Sequence, residues 1–335
     1  MSVQQMFVVM REDMAASLIE REEEIDVVLT ALICQEHPLL VGPPGTAKSL
    51  LLDTVLRWLG PGATKFSILF GKYTVPEEVF GPVSIQGLKA DVYRRVTTNK
   101  LPEAVGAFAD EIFKPSTAIL NTLLRILNER VYENGDGTFR TCPLRICVAA
   151  SNEWPADNDG GKELGALFDR FLFRKTVRPV SKAGRSRLLW ERNHTPHLRT
   201  TISQEELDQA CGEANDMDWT DDARKALDEI LDTQVKEGIH PGDRRQYKSI
   251  LAAQAYAYLC GADMVRREHL EILAHVLWDD PTEHPQKCAK VVAKIANPTG
   301  HLITEKLLQV QDVLAKCSPT EAVPKLKEIQ KELLA

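Results

Sequence analysis

Residues 38–49, Pro-Leu-Leu-Val-Gly-Pro-Pro-Gly-Thr-Ala-Lys-Ser, constrain this chain more than any other stretch. The apolar run Leu39-Leu40-Val41 predicts a buried strand, Gly42 to Ala47 a tight loop with inward-facing amides, and Leu50-Leu51-Leu52 the start of a helix. A strand that breaks into such a loop and then a helix suits a di- or triphosphate chain, because loop amides and the positive helix end both attract anions. On this reading the backbone of Gly42, Pro43, Pro44, Gly45, Thr46, Ala47 and on to Leu50 forms the cradle. Lys48 reaches the terminal phosphates as a point charge, and the Ser49 hydroxyl ligates a magnesium ion. Ala47 stands where the pattern G-x-x-x-x-G-K-[ST] has glycine, and its methyl group is expected to be tolerated at negative φ.

Residues 105–111, Val-Gly-Ala-Phe-Ala-Asp-Glu, pass from small apolar side chains into two acids. That is the pattern of a buried parallel strand with carboxylates at its C-terminal edge, where open α/β sheets bind ligands. Downstream of a phosphate loop, Asp110 is expected to hold the magnesium, directly or through its water, and Glu111 to polarise an attacking water. The apolar run Leu144–Ala150 ends in Ser151-Asn152. An amide there can hold a water against the γ-phosphate, or Asn152 is simply a turn former before Glu153-Trp154-Pro155. Arg170 and Arg174 flank Phe171-Leu172-Phe173. A forked, always-charged guanidinium suits trans stabilisation of a transferring phosphoryl group; the plain alternative is an ion pair with Asp169 or the acidic N-terminal helix. Asp243 as N-cap would place Arg244 in a first helical turn, where a cation opposes the dipole and so is kept for another task, or is merely exposed.

A chain of 335 residues suggests about two domains. Residues 11–36 read as helical, with Ile25, Val28, Leu29, Leu32 and Ile33 spaced for one buried face and the acidic run Glu20–Asp26 as a solvated face at a helix start. Another helix runs from Leu50 to Leu59, and Lys65–Leu69 is a second strand. Residues 71–102 read as a small β excursion through Val83-Ser84-Ile85 and Val92–Val96. Ser116–Asn128 is helical, and Val131–Arg140, with Asn-Gly and Asp-Gly at its centre, is a hairpin. Past a boundary near Arg178-Pro179 only helical segments follow, at 182–192, 203–214, 220–236, 244–260 and 266–279, with two amphipathic helices around Ser318-Pro319.

A net charge of −7 argues against a dedicated nucleic-acid binder, and no apolar run is long enough to span a membrane. Seven cysteines without a CxxC pair read as reduced thiols of a cytoplasmic protein, Cys142 and Cys147 as core residues. No further ligands gather around His194-x-x-His197, which reads as loop.

In chain order, Gly42–Ser49, Asp110-Glu111, Asn152, Arg170 or Arg174, and Arg244 resemble the Walker A, Walker B, sensor 1, arginine-finger and sensor 2 elements of an AAA+ ATPase. More narrowly, Thr74–Ile85, Leu101–Ala104, Asp110–Lys114, Ile119–Leu124, Ala149–Glu153, Leu167–Phe171 and Gly242–Arg245 resemble the MoxR family and its RavA-like branch, of which Ala47 is a feature. The resemblance implies a five-stranded parallel sheet between helices over residues 1–178, with β-hairpin insertions at 81–98 and 131–142 that project toward the pore of a ring. It further implies an all-helical lid over 179–280, a helical extension over 281–335, and binding of ATP or ADP with Mg2+. Sites shared around a hexameric ring would have Arg170, or Arg174 in its place, reach the neighbour's nucleotide, with Arg244 acting in cis or in trans. A partner carrying a von Willebrand factor A domain and a chaperone-like remodelling role are also implied. Rival readings are a nucleic-acid motor, for which Lys89, Arg94 and Arg95 speak, a nucleotide-dependent scaffold, and a small-molecule kinase.

Overall fold

The computed structural model describes residues 1–154, 161–191, 195–316 and 319–334. Most of the expected polar loop Asp157–Gly161, together with His194 and Ser318, lies outside them. In chain order the elements are α1 (Val3–Ser17), α2 (Glu22–Ile33), β1 (Pro38–Val41), α3 (Lys48–Trp58), β2 (Lys65–Leu69), α4 (Pro76–Phe80), α5 (Ile85–Lys89), β3 (Gly106–Asp110) and α6 (Thr117–Glu129). There follow β4 (Val131–Glu133), β5 (Phe139–Thr141), β6 (Ile146–Ser151), α7 (Gly161–Arg170), β7 (Phe173–Thr176), α8 (Lys182–Trp190) and α9 (Gln204–Asn215). The remaining helices are α10 (Asp221–Lys236), α11 (Asp243–Leu259), α12 (His284–Ala296), α13 (Pro298–Lys316) and α14 (Pro319–Leu334), with 3-10 turns at Leu101–Glu103 and Arg267–His275.

By contacts the chain forms two compact units, Met1–Asp218 with Gly242–Met264, and Trp219–Pro241 with Val265–Ala335. Helices α8, α9 and α11 thus fall in the same compact unit as the sheet. In the first unit five parallel strands lie in the order β2-β3-β6-β1-β7. Central β1 and β6 are buried along their whole length, as the unbroken apolar runs require, whereas edge strand β2 alternates. Because β1 lies between β6 and β7, the strand order reverses around it, which places a ligand crevice at the C-terminal ends of these strands.

The helical stretch over 11–36 is shared by two helices, the end of α1 and all of α2, and α2 starts within the acidic run as expected. The chain breaks at Leu18–Arg21, where Glu20 adopts φ +54° and its carboxylate accepts from the Ser181 backbone N–H at 2.6 Å and hydroxyl at 2.5 Å. Ile25, Val28, Leu29, Leu32 and Ile33 are buried as expected. The acidic run is not a solvated face, since Glu24 and Asp26 are buried too. Asp26 accepts a forked pair from Arg11 at 2.5 and 2.6 Å, so the acid that periodicity assigns to water is held by a cation on α1.

The excursion over 71–102 holds two short helices, α4 and α5, between turns and irregular chain, in place of the expected strands. Ser84 caps α5 by accepting from the Gly87 N–H at 3.1 Å, and only the bridge Val83–Arg95 remains of the expected strands. The hairpin β4–β5 forms as read, with Gly135 and Gly137 at positive φ. Its tip packs on the excursion: the buried Asn134 accepts from the Arg95 N–H at 3.1 Å, and a Cβ on Gly135 would meet Tyr93 at 2.3 Å. Arg95 in turn donates to Glu77 at 3.0 Å and to the Gly81 carbonyl at 2.8 Å, which removes it from the cations available to a nucleic acid.

His37 leads into β1 and is fully enclosed. It accepts from the Cys147 N–H of β6 at 3.0 Å through Nδ1, so Nε2 carries the proton and donates to the Leu127 carbonyl of α6 at 3.2 Å. Burial holds its pKa well below the usual 6.5, with the charges of Arg130 and Lys248 acting in the same direction. Below that pH the unfolded chain binds a proton that the folded chain refuses, so stability present above about pH 6.5 is lost as pH falls, by up to about 1.4 kcal/mol per pH unit. Denaturant midpoints measured at pH 7.5 and 5.5 are expected to show this loss, and His37→Gln to reduce it. Burial likewise raises the Cys142 and Cys147 thiols to about 11 and about 12, as inert core residues require.

In the second unit, Ala223, Ala226, Leu227 and Ile230 form the buried face of α10, whose N-cap Thr220 accepts from the Ala223 N–H at 3.2 Å. This face packs on α12 and the turn Arg267–His275, and α13 and α14 pack on each other. Leu302, Ile303, Leu307 and Leu308 of α13 are exposed.

Candidate functional site

The loop after β1 occupies the crevice at the sheet's C-terminal edge. Gly42 continues the ladder by donating to the Ser151 carbonyl at 2.9 Å, and a Cβ there would lie 2.2 Å from the Val177 carbonyl oxygen, so only glycine fits. Gly45 follows at φ +76°, and the Thr46 hydroxyl donates back to the Pro43 carbonyl at 2.9 Å. Ala47 adopts φ +64° and ψ 18°. The expectation of negative φ is therefore wrong: alanine takes the left-handed conformation for which the pattern uses glycine, because the turn into α3 demands it at this residue.

Lys48 is the first residue of α3 and is buried. Its ammonium donates to the Gly42 carbonyl at 2.5 Å and the Pro43 carbonyl at 3.0 Å, folding back over its own loop. Burial lowers its pKa, opposed by the charges of Asp110 and Glu111. A lysine desolvated beside two carboxylates on the adjoining strand edge is poised for a polyanion. Pro43, Pro44, Gly45 and Ser49 are exposed, and Leu50 is half-buried.

Asp110 ends β3, between β2 and β6, and one of its carboxylate oxygens accepts from the Glu111 N–H at 3.0 Å. Glu111 is buried at φ +53°, a conformation costly for a side chain of this kind and found where function over-determines the backbone. Both its oxygens are engaged: Oε1 accepts from the Asn152 amide just past β6, and Oε2 lies 3.3 Å from the Lys114 ammonium. The structure thus brings Glu111 and Asn152 together. Lys114 closes the segment Asp110–Lys114 that carries part of the family resemblance, but that segment assigns it no role; its position beside Glu111 does.

The two candidate arginines differ. Arg174 is 1% exposed, donates to the Phe171 carbonyl at 3.2 Å and the Phe168 carbonyl at 3.1 Å, and lies 3.8 Å from the centre of the Phe168 ring. Arg170, at the end of α7, is only half-buried, and its Nε is buried without a hydrogen-bond partner among the described residues. Gly242, not Asp243, is the N-cap of α11, and Asp243 falls in the first turn beside Arg244. Arg244 is exposed and donates to Asn128 at 3.2 Å. The neighbouring Arg245 is buried and bonds the Leu172 carbonyl and the Asp169 carboxylate, each at 3.1 Å. Burial opposes the Asp169 charge, but the Arg245 bond and the charges of Arg245, Arg174 and Arg244 prevail and hold its pKa below the usual carboxylate range. Arg170, Arg244, Arg245 and Lys248 line one pocket with Asp169 and Glu36.

Residues 5–211 match the family described as the MoxR domain in MoxR-vWA-beta-propeller ternary systems, and residues 221–292 match an AAA lid domain. The uncharacterized protein MJ0079 of Methanocaldococcus jannaschii is 38% identical over 300 residues, covering 88% of this chain and 76% of that protein. Chaperone MoxR1 of Mycobacterium tuberculosis is 28% identical over 183 residues, 53% of this chain and 46% of its own length. A crystal structure of a protein from Cytophaga hutchinsonii shares the fold with a TM-score of 0.66 at 17% identity, over 82% of this chain and 86% of that one. With the parallel sheet, the phosphate loop and the acid pair in their expected places, this chain belongs to the MoxR family of AAA+ ATPases.

Proposed function

We propose that the protein is a magnesium-dependent ATPase of the RavA-like branch that works as a ring, of hexameric closure, whose sites are completed between neighbouring subunits. The observation that carries this reading is the cation pocket. Arg170 and Arg244 gather with Arg245 and Lys248, and Lys48, Asp110, Glu111 and Asn152 are not among its described lining residues. Cations assembled apart from a chain's own phosphate loop are what a site shared between chains requires.

Within that site the loop amides and Lys48 bind the phosphates, and Arg170, with Arg244, reaches them from the neighbour. The Ser49 hydroxyl and the Asp110 carboxylate are hard oxygen donors and fit Mg2+, which supplies charge neutralisation on the phosphate oxygens. Glu111 accepts the proton of the attacking water, and Asn152, already bonded to Glu111, orients both. The vWA named in the matched family's description supports a partner with a von Willebrand factor A domain, with which the protein acts as a chaperone-like remodeller.

ATP turnover per chain is expected to rise with protein concentration in step with assembly measured by sedimentation. Turnover that is independent of concentration would overturn the shared site. ATP binding without hydrolysis would replace the enzyme by a scaffold.

A further inference from the structure

Arg21 lies at the break between α1 and α2, as the N-cap residue of α2, yet its side chain makes no cap. It is buried, and its guanidinium instead serves three backbone carbonyls. Nε donates to Thr46 at 3.2 Å, Nη1 to Glu20 at 2.5 Å and Nη2 to Arg178 at 2.9 Å. Thr46 belongs to the phosphate loop, and Arg178 follows Val177, the residue just past β7 against which Gly42 is wedged. None of these three acceptors is a carboxylate, and the charge is met only through space, by Glu20 and Glu24.

The Thr46 carbonyl is one end of the peptide whose other end is the Ala47 N–H. A peptide is planar and trans, so holding the carbonyl toward Arg21 turns the Ala47 N–H the opposite way. Ala47 sits at φ +64°, where a side-chain-bearing residue suffers a population penalty of roughly 5–30-fold. Alanine has no polar side chain to hold that conformation locally, so an outside group must do so. Lysine could not take this place equally well, since a single ammonium lacks the planar fork that reaches carbonyls from three separate segments.

We propose that Arg21 is a positioning residue for nucleotide binding, keeping the Thr46–Ala47 peptide turned so that Ala47 retains its left-handed conformation and directs its N–H to the phosphates. This rests on the nucleotide-binding reading above and adds to it a residue outside the loop. It also accounts for how this loop dispenses with the usual glycine.

The test is a double-mutant cycle on the full chain, with the Kd of ADP in the presence of Mg2+ measured by calorimetry and folding followed by the thermal midpoint. Arg21→Met is expected to raise the ADP Kd by about 5–30-fold when residue 47 is alanine. In the Ala47→Gly background the same substitution is expected to raise it less than about 2-fold, because glycine needs no help to stay left-handed. A clamp that only stabilised the fold would lower the midpoint equally in both backgrounds and leave the two Kd ratios the same, and that result overturns the role. If Arg21→Met does not fold, Arg21→Lys, which keeps the charge and the stem, carries the same comparison. A wild type that binds no ADP overturns the nucleotide reading and this role with it. An equal effect in both backgrounds overturns the role alone.

Discussion

Arg170→Ala is expected to lower ATP turnover by roughly 10³–10⁵-fold while leaving the thermal midpoint unchanged, and Arg174→Ala to do the reverse. Arg170 is half-buried at the end of α7, lines the cation pocket and keeps a buried Nε without a hydrogen-bond partner among the described residues, so little of the described fold depends on its charge. Arg174 is enclosed, with the Phe168 ring on one face and two carbonyls on its donors. Its truncation leaves those groups buried and unpaired, at a cost on the order of 3 kcal/mol. Steady-state ATPase assays beside thermal melts of both variants check the pair. Loss of turnover in folded Arg174→Ala, with Arg170→Ala active, would exchange the two assignments.

Glu111→Gln is expected to bind ATP yet hydrolyse it about 10²–10⁴-fold more slowly. Glutamine preserves the carbonyl that accepts the Asn152 amide, so the shape of the site survives. It cannot take a proton from water, and it presents an NH2 group where Oε2 faced the Lys114 ammonium. Single-turnover hydrolysis beside equilibrium binding separates the two effects; equal loss of both would mean that Glu111 holds the nucleotide and is not the base. The proposed shared site predicts that an equimolar mixture of Glu111→Gln and Arg170→Ala regains part of the wild-type rate, by pairing an intact glutamate of one chain with an intact arginine of another.

Local features of this chain were legible where one physical cause dominates. Strand β2 coincides with its expected span, and β1, β3, the hairpin and the long face of α6 lie where apolar runs and Asn-Gly and Asp-Gly turns put them. Features set by distant partners were not legible. Glu20 and Arg21 look like two charges in an acidic run, and only Ser181, Thr46 and Arg178 explain the helix break there. Asp26 reads as solvated until Arg11 is set against it. The Ala47 backbone was misjudged because composition reports a methyl group and not the φ that the loop imposes. Lys114 and Arg245 belong to the same class, cations whose use depends on carboxylates from other elements or around a turn.

The junction between the hairpin tip and the excursion has a mechanical consequence. Asn134 is bonded to the backbone at Arg95, Gly135 abuts Tyr93, and Arg95 is anchored to Glu77 of α4 and to the Gly81 carbonyl. A sideways load on the hairpin tip is therefore not absorbed by bending two thin ribbons separately. It passes through Asn134 to Arg95 and on to Glu77 of α4, so hairpin tip and excursion resist it together.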